Sequence, residues 1–90
     1  MAATWTEEQG LRLELAVEVL SGEIGRRNRA IRALAASDTR ERARLEGERT
    51  AIIHLSNRLC VDDGRRIDAI LDRDIDEALR DEEPPLRRAM

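Results

Sequence analysis

The spacing of apolar residues constrains this chain more than any other feature. Leu13, Val17, Leu20, Ile24, Ile31 and Leu34 follow one another at alternating intervals of four and three, with Arg27 in the one interrupted slot. That period matches the turn of an α-helix and, sustained over this length, the seam of a coiled coil.

Local signals divide the helical pattern into three. Thr6-Glu7-Glu8-Gln9 has the form of a capping box, with Thr6 as N-cap and two acids in the first turn, so helix 1 is predicted over about 6–36. Gly22 and Gly25 interrupt it, which suggests a kink or a close helix approach there. Ser37 or Asp38 can cap a second helix over about 38–61, with Glu41 as the capping acid. Its seam is Leu45, Glu48, Ile52, Leu55 and Leu59, broadened by Ile53 and by Cys60, which reads as a small buried apolar residue. Asp62-Asp63-Gly64 supplies turn chemistry before a third helix over about 64–82, where Ile67, Ile70, Leu71, Ile75, Ala78 and Leu79 give a clear amphipathic stripe ahead of Pro84-Pro85. The predicted fold is a single all-α domain over residues 1–90, a three-helix bundle built on a long antiparallel, coiled-coil-like hairpin.

Ninety residues, with twelve alanines among the apolar ones, leave little large side-chain surface for a core. A chain of this size buries roughly 60–65% of its unfolded surface, so a second subunit is an effective source of further burial. Leu11, Leu15 and Val19 form a second stripe beside the helix 1 seam and are the expected homodimer interface.

Charge is polarised along the chain. From Arg26 to Arg49 there are eight arginines against four acids, whereas Asp62 to Glu83 holds ten acids and four arginines. Residues 7–23 add five glutamates against Arg12. The hairpin turn falls inside the basic stretch, so Arg26, Arg29, Arg32, Arg40, Arg42 and Arg44 should collect at one end as a partner-binding tip. The net charge of −3 favours a solvated helical surface laced with Glu–Arg pairs over phosphate binding at that tip, and a third reading is docking of the charge-polarised chain on an oppositely charged patch of another protein or head to tail on itself.

Composition excludes several chemistries. Trp5 is the sole aromatic residue, so base-stacking platforms and aromatic cages have no material. All sixteen basic residues are arginine, which removes Schiff-base lysines and the P-loop lysine. Cys60 is alone, so no intramolecular disulfide and no cysteine-based zinc set can form, and His54 is out of register with it and reads as a surface residue. Asp72, Asp74, Asp76 and Glu83 approach the spacing of a calcium loop, but Glu77 stands where that loop needs glycine and the apolar period of helix 3 runs through it. Asp68, Asp72 and Asp76 would then share one solvated helical face. No metal or cofactor is expected. Neither a secretory signal nor a membrane span is predicted, and the cytoplasm is the expected compartment.

Three polar residues occupy seam positions, Arg27, Glu48 and Asp74, and are expected to meet as an ion network that fixes helix register. An all-helical chain of this size with an inward arginine resembles in outline the small helical chorismate mutases. That resemblance implies a catalytic dimer whose site takes a lysine, which this chain lacks. Hairpin secretion substrates of the Trp-x-Gly type are similar in length, but their motif sits at the turn, where this chain has Ala36-Ser37-Asp38. The expected function is therefore a non-enzymatic protein–protein interaction module. The alternatives are a phage or mobile-element inhibitor of a host complex such as a defence nuclease, nucleic-acid backbone binding through the arginine tip, and a small mutase-like enzyme.

Overall fold

A computed structural model of the chain describes residues 6–80. Within them the chain is helical, without strands: α1 spans Glu7–Ala33, α2 Thr39–Arg58, α3 Gly64–Leu71 and α4 Ile75–Ala78. The long helices α1 and α2 pack against each other, α1 also packs against α3, and α3 packs against α4.

The start of α1 is fixed locally. Thr6 is its N-cap, the Gln9 amide donates to the Thr6 hydroxyl at 3.1 Å, and the Thr6 amide donates back to Gln9 Oε1 at 2.9 Å. Two otherwise orphaned amides are thus satisfied, and Glu7 and Glu8 sit favourably against the helix dipole. The helix runs without interruption through Gly22 and Gly25. A Cβ on Gly22 would meet nothing within 4 Å and one on Gly25 only the Arg29 guanidinium at 3.6 Å, so the close helix approach expected there does not occur. Leu34 ends α1 in extended conformation. Asp38 is the N-cap of α2 but its side chain makes no capping bond, and the Glu41 carboxylate expected to complete the box is held by Arg44 instead.

The core lies where α1 passes both of its neighbours. Ala16 and Leu20 of α1 meet Ile52 and Leu55 of α2, Ile67, Ala69 and Ile70 of α3 and Ala78 of α4 in one buried cluster. Leu20, Ile52, Leu55 and Ile70 are its largest fully buried side chains. Each contributes about 1.5–3 kcal/mol relative to exposure, which is the main term holding α3 against the long pair. Ile31 and Leu45 are buried nearer the α1–α2 connection, outside that cluster.

The third predicted helix is divided. α3 stops at Leu71, and the chain turns through Asp72 and Arg73 before α4 begins at Ile75. The Arg73 amide donates to the Ile70 carbonyl at 2.9 Å and the Asp74 amide to the Ala69 carbonyl at 2.8 Å. This pair of bonds is the Schellman motif, and Arg73 occupies its left-handed position with φ of 64°. Glycine is the usual occupant there, and its absence is why the sequence carries no visible stop signal at this point. The break lets Ile75 and Leu79 turn back onto the core that Ile67 and Ile70 already enter.

Candidate functional site

Arg27 is the inward arginine of the α1 seam, with 19% of its side chain exposed. Its Nε donates to Glu48 Oε1 at 3.1 Å across the α1–α2 interface, and its Nη1 donates to Glu23 Oε1 at 2.6 Å and to the Glu23 carbonyl at 3.1 Å. One step along, Arg49 Nη1 donates to Asn28 Oδ1 at 2.7 Å and ties the same pair of helices again. The expected third member of this network is absent. Asp74 is exposed and caps α4, accepting from the Glu77 amide at 3.2 Å, and Glu23, one helical turn before Arg27, takes its place.

The six arginines assigned to the basic tip have different fates. Arg44 is clamped by its own helix: it reaches Glu41 at 2.5 Å and Glu48 at 2.7 Å, so its charge is largely answered. Its hydrogen bonds hold the Glu41 carboxyl below the usual carboxylate value, with desolvation opposing and the Arg44 charge adding to the effect. The hydrogen bond and charge of Glu41, with the charge of Glu48, raise the Arg44 guanidinium further above its ordinary value. Arg26 has a loose contact with Glu23 at 3.6 Å and stays 70% exposed. Arg29, Arg32 and Arg40 are exposed and Arg42 is half-buried, and none of these four makes an ion pair among the described residues.

The other end of α1 is acidic. Glu7, Glu8 and Glu14 line an open groove of about 790 Å³ with Gly10, Leu11, Leu13 and Val61. Leu11 and Leu15 are 55% and 43% exposed, whereas Val19 packs against the core. Of the three residues expected to face a second subunit, Val19 is thus half-buried against the chain's own core. On this side Arg12 forms an ion pair with Asp68, which joins α1 to α3, and Arg65 bonds Glu77 at 2.5 Å, which joins α3 to α4.

Cys60 is exposed rather than buried, because α2 ends at Arg58 before reaching it. Its amide donates to Asp63 Oδ2 at 2.9 Å and its thiol to the Arg58 carbonyl at 3.4 Å. Its sulfur and carboxylate oxygens of Asp62 and Asp63 lie within 4.8 Å of one another, but Asp63 is already used by the turn it closes. His54 is half-buried on α2, not on the open surface. The continuous helix expected through the calcium-like spacing is broken: the chain turns at Asp72 and Arg73 and Asp74 caps Ile75–Ala78, while Glu83 lies outside the described residues. With α3 ending at Leu71, the face proposed for Asp68, Asp72 and Asp76 does not form. No helix among the described residues is long and apolar enough to cross a membrane. The chain matches no protein-family model, no curated protein sequence and no solved structure.

Proposed function

We propose that the chain is a small non-enzymatic helical module that binds an acidic partner protein in the cytoplasm through the basic surface around the α1–α2 connection. The observation that carries this reading is the set Arg29, Arg32, Arg40 and Arg42, which have no carboxylate partner among the described residues while Arg44 and Arg27 are internally paired. Unanswered guanidinium groups raise association rates with an oppositely charged surface and supply charge-assisted hydrogen bonds once docked. The exposed acids Glu7, Glu8 and Glu14 stand on the same helix at its opposite end, so α1 alone carries both signs. In this reading α1 and α2 form an antiparallel hairpin, supported by the cross-links Arg27 to Glu48 and Asn28 to Arg49, and α3 with α4 fills the third position of a bundle.

The test is affinity capture with the wild-type chain and with an Arg32→Glu, Arg40→Glu variant. A protein held by the wild type and lost by the variant, with retention that falls as salt rises and unchanged helicity, supports the reading. Equal capture by both sinks it, and salt-dependent retention on DNA in preference to protein replaces it with the nucleic-acid alternative. A homodimer through Leu11 and Leu15 belongs to the same proposal, carried by their exposure on the face opposite in charge to the tip.

A further inference from the structure

Arg73 stands in the left-handed region, a conformation that is unfavourable for any residue with a Cβ and natural for glycine. Strain of this kind persists where the side chain is needed. Inside the molecule Arg73 has little to do: its guanidinium donates one long hydrogen bond, 3.4 Å to the Leu71 carbonyl, and makes no ion pair among the described residues. The turn would be served as well by glycine, so the reason for arginine lies outside the turn.

Its surroundings supply that reason. Arg73 lines a surface groove of about 370 Å³ with Arg26 and Arg29 of α1, over a floor of Val19 and Gly22 and beside Glu18 and Glu23. Three arginines from segments more than forty residues apart in the chain thus meet at one groove. Gly22 leaves the floor open, since a Cβ there would meet nothing within 4 Å. Of the two glutamates, Glu23 is only 12% exposed and is engaged by Arg27 at 2.6 Å. Its remaining attraction for Arg26 is loose, at 3.6 Å.

We propose that this groove, built by Arg26, Arg29 and Arg73, receives carboxylate side chains from an acidic segment of a partner protein. The inference rests on the reading of the chain as a protein-binding module and places its specific contact where Arg26 and Arg29 of the basic surface meet Arg73, rather than at Arg32 and Arg40. Guanidinium forks match carboxylates in bidentate geometry. The lining argues for a carboxylate over a phosphate, because Glu18 and Glu23 repel a doubly charged group more strongly than a singly charged one. A floor of Val19 and open Gly22 suits the backbone and aliphatic stem of a peptide, and the chain has no second aromatic residue with which to stack bases.

The experiment uses the full chain with an acetylated octaglutamate peptide as probe, followed by amide NMR shifts and by calorimetry. Arg73→Gly and Arg73→Asn both suit the left-handed backbone and remove the guanidinium, so each should melt at the wild-type temperature or above it. The expected result is peptide-dependent shifts at Val19, Gly22 and Arg73 and an affinity about tenfold lower in both variants, the size expected for losing a charge-assisted pair. Arg32→Glu with Arg40→Glu should slow association and leave the groove shifts in place. If the peptide binds but the shifts cluster at the tip and only the tip variant loses affinity, the groove is overturned while the protein-binding reading stands. Absence of any peptide binding overturns both. Tighter binding of a single-stranded oligonucleotide than of the peptide, at the same salt, assigns the groove to a different class of partner and overturns the proposal.

Discussion

Arg27 and Glu48, twenty-one residues apart, meet across the α1–α2 interface with Nε 3.1 Å from Oε1, and the same guanidinium holds Glu23 at 2.6 Å. One arginine therefore answers two carboxylates that are only 12% and 36% exposed. Desolvation makes such a cluster more effective at fixing register than at adding stability, because the cost of removing one member exceeds the net gain of having all three.

Arg27→Ala should accordingly lower unfolding stability by about 2 kcal/mol, since it leaves the nearly buried Glu23 with only the loose Arg26 contact and Glu48 with Arg44 alone. Replacing Arg27, Glu23 and Glu48 together by leucine should bring most of that back, to within roughly 1 kcal/mol of wild type. Urea unfolding of both variants measures the difference. A triple variant as unstable as the single one shows that the loss is packing of the arginine stem.

Arg73→Gly should raise stability by about 1 kcal/mol, because glycine takes the left-handed Schellman position without the Cβ penalty. Arg73→Ala keeps the Cβ and should leave stability nearly unchanged. Thermal and urea unfolding of the pair separate a backbone effect from a side-chain effect. A gain in the alanine variant as large as in the glycine variant contradicts the backbone account.

Glu41 ionises more readily in the folded chain than a free glutamate because Arg44 bonds its carboxylate. A carboxyl whose folded pKa is depressed contributes stability above its unfolded value of about 4.3, and that contribution is lost as pH falls through the folded value. Carbon-detected NMR should place the Glu41 midpoint below the ordinary glutamate value, and Arg44→Met should return it to that value. An unmoved midpoint in Arg44→Met removes the assignment.

Leu11 and Leu15 are open to solvent while Val19 is tied to the core, so substitutions along this stripe should separate. Leu15→Asp should convert a dimer to a monomer by light scattering at tens of micromolar without loss of helicity. Val19→Asp should unfold the chain, at a cost of roughly 2–4 kcal/mol for burying a charge against apolar neighbours. A wild-type chain already monomeric at that concentration ends the dimer proposal.

The features legible in the sequence are those decided within one or two helical turns. The Thr6 and Gln9 box depends on neighbours three residues apart, and it forms whatever the rest of the chain does. The seam spacing places Arg27 and Glu48 on the faces their helices bury, because the period of apolar residues is also the geometry of the helix. Cys60 and Asp74 were less readable for a shared reason: each depends on where a helix stops. α2 ends before Cys60 and α3 before Asp74, and neither end is marked by a glycine.

By itself the sequence determined that the chain is helical, which faces of the long helices are apolar, and that positive charge gathers around the α1–α2 connection, since all three follow from residue type and period. Only the tertiary structure decided which of those faces find cover inside the molecule and which charges find partners. Val19 is claimed by the core and Leu11 is not; Arg44 is answered by its own helix and Arg29 is not. It also decided the turn at Arg73, where burying Ile70, Ala78 and Leu79 together outweighs the strain of a left-handed arginine. Burial energy is a property of several segments meeting at once, and no single stretch of the chain carries the information to predict it.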